Sequence, residues 1–417
     1  MRIYFPVYGN RPMQRISSKR VLILGTYPIA QPQHGGQKRT RAILDFYADI
    51  FAEVKYVAVF SPKDYPASGR DDIAFNPPIN QEHPEDSLVS DLALGRAIAS
   101  DPGVKGKIVK LLTRYRPDII QVEQPYVYSG LAETLTELGL NPAIIYSSQN
   151  VESQMKEQML TAAGCNRATV NRYCTQIQEL EQGLVKSADL VIAVSKEDAA
   201  QFTSYGPRRI VLAPNGIARS VVSPSSLKYW GRHLAKRHVA HLAIFVGSAH
   251  LPNWEGFLEI IGPKLGFLPF GTEIMIVGGV GGMVNSYRFS PWFSRVGFLQ
   301  RAEVVGRVDE TSLAALLSLA KVIILPITTG GGSNLKTAEA ILSGKKIVAT
   351  PFAFRGQEQF QHLPGVDIQS TPEGFRTALV AALESSEPKR SPQDKQTAGQ
   401  VVWSETLRPL TMEVNKL

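Results

Sequence analysis

Short apolar runs alternate with amphipathic stretches along nearly the whole chain. The first half carries VLILGTY, KYVAVF, DIIQVEQ, AIIYSSQ, LVIAVS and RIVLAPN; the second carries LAIFVGS, EIMIVGG, AEVVGRV, KVIILPI and KIVAT. Each run is apolar on successive residues, as expected of strands covered by helices on both faces. Between them lie helical patterns, among them Lys38 to Phe51 and Asn166 to Lys186. This alternation predicts an α/β protein with two parallel, doubly wound sheets. The stretch ARSVVSPSSLKYWGRHLAKRHVAH is rich in serine, basic residues and turn formers, and marks a boundary. The expected organisation is an extension over 1–20, a Rossmann-like domain over 21–218, a linker over 219–241, a second Rossmann-like domain over 242–392, and a helix over 393–417 able to pack back on the first domain.

Composition narrows the class. A chain of 417 residues, 44% hydrophobic and 20% charged, is a globular protein of more than one domain. No apolar run approaches the roughly 20 residues a membrane-spanning helix needs. The first twenty residues lack a continuous apolar segment, so no signal peptide is read. Two cysteines, Cys165 and Cys174, form neither a disulfide framework nor a metal-ligand spacing, and a reducing cytoplasm is expected. The net charge of +8 fits an anionic partner such as a nucleotide or an anionic membrane surface, although on charge alone a solvated basic surface is the preferred reading. The basic residues are scattered, without the aromatic interleaving of a nucleic-acid reader, so no nucleic-acid partner is expected.

In doubly wound sheets ligands bind beyond the carboxyl ends of the strands. After the first strand, Gly35 and Gly36 precede a helix read as starting near Gln37; an anion site and a plain turn both fit. His34 reads as an ordinary loop residue. AIIYSS ends in Gln149-Asn150-Val151-Glu152, where Gln149 can bond a ligand and Asn150 or Ser153 can cap the next helix. Ser195 and Asp198 form a near capping box. Gly247 and Ser248 end another strand, with Asn253 a candidate N-cap. EIMIVGGVGGM misses the dinucleotide-binding spacing and reads as a turn with no clean helix after it. Gly306, Arg307 and Val308 stand at a further strand end, where a planar base and a turn capped by Asp309 both fit.

The most informative stretch is TTGGGSNLKTAEAILSGKK. It follows the buried strand KVIILPI and opens a helix that Ser333 or Asn334 is placed to cap. First-turn amides there favour an anion. Lys336 is a cation where the helix dipole disfavours one, which points to an anionic ligand. Glu339, one turn on, suits the paired hydroxyls of a ribose; a simple Lys336–Glu339 ion pair fits the same spacing.

Taken together, the GG loop, PDIIQVEQ, SQNVES, ADLVIAVSKEDAAQF with VLAPNGI, FVGSAHLPNWEGF, VGRVDE and GGGSNLKTAEAILSGKKIVAT resemble the retaining glycosyltransferases of family four. The resemblance spans about residues 20 to 410 and is closest to a branch of bacterial cell-surface polysaccharide assembly. It implies the GT-B fold, two Rossmann-like domains facing a central cleft, and transfer of a sugar from a UDP or GDP donor to a glycan or lipid-linked acceptor with retention. It implies no cofactor and no metal. The implied roles are Glu339 on the ribose; Gly331, Gly332, Ser333, Asn334 and Lys336 at the diphosphate; Gly247, Ser248, Gly306, Arg307 and Val308 around the donor; and Gly35 and Gly36 near phosphate and acceptor. Lys336 and Gln149 are the implied catalytic positions. The expected location is cytoplasmic, with peripheral contact at an anionic inner membrane face. Three positions depart from the family pattern: Gly331 stands where a glutamate is frequent, Asn334 where an arginine is usual, and Gln149 where a histidine precedes Asn-Val-Glu. A nucleotide-sugar epimerase or hydrolase of the same fold, or a non-catalytic binding homologue, is the alternative reading.

Overall fold

The computed structural model describes residues 17–65, 68–77, 84–289, 295–330 and 334–417. The chain divides into two compact units, one running to Pro214 and resuming from Thr406 to Leu417, the other Asn215–Glu405.

The first unit is built on a parallel sheet of β1 (Ser17–Gly25), β2 (Phe51–Phe60), β3 (Ile73–Ala74), β4 (Ile119–Val122), β5 (Ala143–Ser147), β6 (Leu190–Ala193) and β7 (Ile210–Leu212). Their spatial order is β3-β2-β1-β4-β5-β6-β7, so the direction of winding reverses between β1 and β4. All four residues of β4 and of β6 are buried, apolar throughout in β6 and interrupted in β4 by Gln121 alone. The short β3 has no apolar run long enough to be read as a strand from sequence.

The second unit repeats the plan with β8 (His241–Val246), β9 (Thr272–Val277), β10 (Ala302–Gly306), β11 (Val322–Leu325), β12 (Lys346–Ala349) and β13 (Val366–Ile368). The order β10-β9-β8-β11-β12-β13 places its reversal between β8 and β11. Apolar cores lie on both faces, one around Ile244, Ile323 and Ile341, the other around Phe257, Ile276 and Phe375. The basic 219–241 stretch contains the helix Pro224–Lys236, whose Trp230 and Leu234, four apart, enter the first of these cores.

The single helix expected over 393–417 is instead three short ones, Pro392–Gly399, Trp403–Thr406 and Arg408–Val414. Pro409 stands in the first turn of the last, a position proline tolerates at a helix start and not in an interior. Among the described residues no helix is long and apolar enough to cross a membrane.

One close approach positions the second unit's loops. The helix Leu251–Ile260, following β8, runs so near the chain leaving β11 that a Cβ on Gly256 would collide with the Pro326 carbonyl oxygen. Only glycine fits without moving the helix. Gly256→Ala is therefore expected to cost about 1–3 kcal/mol, read as a lower midpoint in urea unfolding; an unchanged midpoint would show the approach to be loose.

Candidate functional site

Each sheet has one reversal point, and the strand ends flanking it are the natural ligand positions. In the first unit these are the ends of β1 and β4, roofed by the helix Gly35–Ile50. That helix turns the polar residues Gln37, Arg39 and Thr40 inward in its first turns, ahead of an apolar buried stripe. Thr40 meets Glu123, which stands directly after β4 and is 1% exposed, and Arg39 lies within electrostatic reach of it. Gln37 Nε2 donates to the Pro28 carbonyl at 2.6 Å. Thr40 donates to Glu123 Oε2 at 2.8 Å and Gln121 Nε2 donates to its Oε1 at 2.6 Å. Tyr47 in turn donates to Gln121 at 2.7 Å. Burial pushes the Glu123 carboxyl up, while these donors and the Arg39 guanidinium pull it back. Burial also lowers Arg39 to about 10, opposed chiefly by Glu123. A buried acid and a buried base thus sustain each other's charge.

Gln149, at the end of β5, joins this network. Its Nε2 donates to the Tyr27 hydroxyl and reaches Thr40 Oγ1 at 3.4 Å and Glu123 Oε2 at 3.3 Å. Gly36 sits against it: a Cβ there would run into Gln149 Oε1 and lie 2.7 Å from the Tyr27 hydroxyl. Gly35 is exposed and Gly36 partly so, and both belong to the helix, which starts earlier than the expected Gln37. His34 is the N-cap of that helix, not a plain loop residue. Its side chain accepts from the Gln37 amide while the Gln37 side chain accepts from the His34 amide, a full capping box. The helix Glu152–Ala162 has Val151 at its N-cap with no side-chain bond, so neither Asn150 nor Ser153 caps it. Glu152 is buried and accepts from Tyr126 at 2.8 Å. Ser195 does cap its helix, accepting from the Asp198 amide at 3.1 Å.

In the second unit the reversal point is flanked by Gly247 and Ser248 after β8 and by the chain to Gly330 after β11. Gly331, Gly332 and Ser333 lie outside the described residues. Asn334 is the N-cap of the helix Leu335–Ser343 but makes no capping bond; its amide donates to the Ala353 carbonyl at 3.4 Å. The buried side of that helix is Thr337, Ala338, Ala340 and Ile341, leaving Lys336 and Glu339 partly buried along its margin.

Lys336 turns toward the helix after β8, where its ammonium donates to Asn253 Oδ1. Asn253 is 6% exposed and stands inside that helix, not at its N-cap, which is His250. Its own amide donates to the Ser248 carbonyl at 3.0 Å and to Ser248 Oγ at 3.1 Å. The chain Ser248–Asn253–Lys336 therefore crosses the reversal point. Burial of the ammonium lowers Lys336 from its ordinary 10.5 to about 8, against the pull of Glu339, whose negative charge lies close enough to oppose the shift. A desolvated ammonium beside a helix N-terminus is an anion receptor.

Gly306, at the end of β10, holds a left-handed φ of 74°, and its carbonyl accepts from the Gly278 amide at 2.6 Å. This meets the turn requirement read from the sequence. Arg307 is exposed and Val308 partly buried against the core. Asp309 caps the following helix, accepting from the Ser312 amide at 2.8 Å. The glycines after β9 do lead into a helix, the short Gly281–Ser286, where none was read. Sequence reasoning missed Glu123, Arg39, Thr40 and the true role of Asn253. The available signal was polar residues set in otherwise buried runs, as in IIQVE and GQKRT. Among the described residues no group of three His, Cys, Asp or Glu side chains could hold a metal ion.

Residues 56–220 match the family model described as Glycosyltransferase Family 4. The chain is also similar to several solved structures. Anabaena HepE in complex with UDP is 16% identical, with 95% of this chain and 100% of that chain covered at a TM-score of 0.62. Sucrose-phosphate synthase from Thermosynechococcus elongatus is 12% identical, with 95% and 98% covered at 0.62. The α,α-trehalose 6-phosphate synthase from Burkholderia multivorans is 14% identical, with 96% of each covered at 0.62. At these identities the likeness establishes the fold, GT-B with its two Rossmann-like domains. Comparison with curated proteins returned no match. The family match over the first unit, joined to this fold, supports a glycosyltransferase.

The contact between Gly36 and Gln149 gives a double-mutant test. Gly36→Ala is expected to destabilise by about 1–3 kcal/mol through displacement of the Gln149 amide. In a Gln149→Ala background the same change should cost clearly less, as expected of residues in contact. Additive losses in urea unfolding would show that the two do not meet.

Proposed function

We propose that this chain is a retaining, metal-independent glycosyltransferase that moves a sugar from a nucleotide-sugar donor to a glycan or lipid-linked acceptor in cell-surface polysaccharide assembly. The observation that carries the reading is the desolvated Lys336 ammonium, bridged by Asn253 to the end of β8 at the reversal point of the second sheet. The relatives support it: HepE is solved with UDP and with UDP-glucose.

Lys336 and the amides opening its helix receive the donor diphosphate, together with Gly331, Gly332, Ser333 and Asn334. Glu339 accepts from the ribose hydroxyls. Gly247 and Ser248 border the donor, and Gly306 to Val308 meet the base. Gly35, Gly36 and Gln149 serve phosphate and acceptor. In the reaction the bond from the sugar's anomeric carbon to the departing phosphate oxygen breaks. The acceptor oxygen bonds that carbon on the same face, and its proton passes to the phosphate oxygen. No protein nucleophile is needed, and the protein's contribution is charge stabilisation of the leaving diphosphate. The net charge of +8 supports a cytoplasmic enzyme in peripheral contact with an anionic membrane. A second reading, nucleotide-sugar binding without transfer, draws on Gln149, whose amide is engaged by Tyr27, Thr40 and Glu123; turnover by the wild-type protein excludes it.

Calorimetry against UDP-, GDP- and ADP-sugars is expected to show binding of at least one class, and silence toward every donor and free nucleotide would sink the proposal. Glu339→Ala should weaken nucleotide binding by more than about tenfold, roughly 1.4 kcal/mol; an unchanged affinity reduces Glu339 to a partner of Lys336. Because Lys336 is lowered to about 8, its charged form is lost as pH rises through that value. Diphosphate affinity should therefore be full near about pH 7 and fall by about pH 9. Lys336→Met should bind weakly with little dependence on pH over this range. A wild-type affinity flat across it would remove Lys336 from the diphosphate.

A further inference from the structure

The first unit carries a cleft of about 330 Å³, and none of the residues lining it belongs to the network of Glu123, Arg39 and Gln149. Three segments build it: the helix Ser90–Ser100 with Leu92 and Arg96, the chain after β4 with Tyr126 and Ser129, and the helix Arg167–Ser187 with Glu179 and Leu180. Leu92 and Tyr126 are buried and Leu180 partly so, which makes an apolar floor continuous with the core around Ile177. Arg96, Ser129 and Glu179 are exposed and form a polar rim. The walls are fixed. A Cβ on Gly95 would collide with the Tyr126 carbonyl oxygen, so the helix Ser90–Ser100 rests directly on the floor. The Tyr126 hydroxyl is held by Glu152, and Glu181, the residue after Leu180, accepts from Tyr146 at 2.7 Å and from the Glu152 amide at 3.1 Å. The cleft is therefore preformed, as small-molecule sites usually are.

We propose that this cleft binds one neutral sugar ring, as a site separate from the strand ends of either sheet. Its size lies at the low end of the roughly 300–1,000 Å³ of small-molecule sites, room for a single ring. The chemistry selects the class by elimination. Arg96 and Glu179 face the same cleft with opposite charges, so an isolated anion meets the carboxylate and an isolated cation meets the guanidinium. A wholly apolar ligand would strip water from the rim groups without replacing their hydrogen bonds. A sugar ring satisfies both parts: its C–H face covers Leu92, Leu180 and Tyr126, and its hydroxyls donate and accept around the rim. Arg96 gives one donor to Gln176 at 3.2 Å, and a guanidinium has five, so most remain for a ligand. The Glu179 carboxylate makes no hydrogen bond or ion pair among the described residues and can accept from two hydroxyls. The choice of a sugar over other neutral polar ligands rests in part on the glycosyltransferase reading; the cleft itself does not.

The test titrates glucose, galactose, N-acetylglucosamine and lactose into the full chain, following the leucine methyl signals by NMR. At least one sugar is expected to shift the Leu92 and Leu180 methyls together and saturably. Glu179→Ala should weaken that sugar by about tenfold, and Ser129→Phe, which fills the cleft from an exposed position, should abolish the shifts without lowering Tm. Arg96→Ala, also exposed, serves if either variant folds poorly, and should weaken the sugar by a similar factor. A lactose affinity well above that of galactose points to a glycan as the source of the ring, and equal affinities to a free sugar. The proposal is overturned if no sugar moves the two methyls, if Ser129→Phe leaves the shifts intact, or if only a zwitterion such as glycine produces them. Nucleotide-sugar calorimetry on the same protein separates the two readings. Donor binding without sugar in the cleft sinks this proposal alone, and sugar in the cleft without donor binding sinks the glycosyltransferase reading alone.

Discussion

Burying a lysine ammonium is costly unless an acceptor meets it, and the second unit is arranged around meeting that demand at one place. Asn253 comes from the helix after β8 and Lys336 from the helix after β11, the two strands between which the sheet reverses direction. Their contact holds both helix openings at fixed separation over the strand ends. It also needs the helix Leu251–Ile260 close to the chain leaving β11, which the absence of a side chain at Gly256 allows. Asn253 is anchored in turn by Ser248. A neutral amide satisfies the ammonium without cancelling its charge, whereas a carboxylate in that position would form an ion pair and compete with any anionic ligand. The ammonium thus has a hydrogen-bond acceptor while keeping the charge that the proposed diphosphate contact needs.

The first unit meets a related demand with a different balance. Here the buried groups at the reversal point are a carboxylate and a guanidinium, Glu123 and Arg39, surrounded by Gln121, Thr40 and Gln149. Charge is largely neutralised within the protein. The outer edge of this network, at Gly36 and Gln149, is made of amide and backbone, groups that donate and accept hydrogen bonds without carrying charge. The two units share a sheet plan but differ in what their strand ends hold out: a buried acid and base amid hydrogen-bonding groups in one, and a buried ammonium with the Glu339 carboxylate nearby in the other.

Much of the fold was legible because parallel strands buried on both faces leave unbroken apolar runs, and each of the eleven runs read from the sequence corresponds to a strand. Among the described residues two strands were missed: Ile73–Ala74, only two residues long, and Val366–Ile368, whose apolar pattern Asp367 breaks. Lys336 stood out because a cation in a helix's first turn is out of place. Asn253 was misjudged for a physical reason: Pro252 tolerates the first turn, so the helix starts before Asn253 and frees its side chain to reach across. His34 was passed over because histidine is not among the usual N-caps, although Gln37 three residues on completes the box.

The central claim is that the strand ends of the second unit receive a nucleoside diphosphate, its phosphates at Lys336 and its ribose at Glu339. A crystal structure with UDP bound tests this most directly. The account predicts phosphate oxygens within hydrogen-bonding distance of the Lys336 ammonium and both ribose hydroxyls on the Glu339 carboxylate. UDP seated elsewhere on the protein, or placed here with its ribose turned away from Glu339, would contradict it.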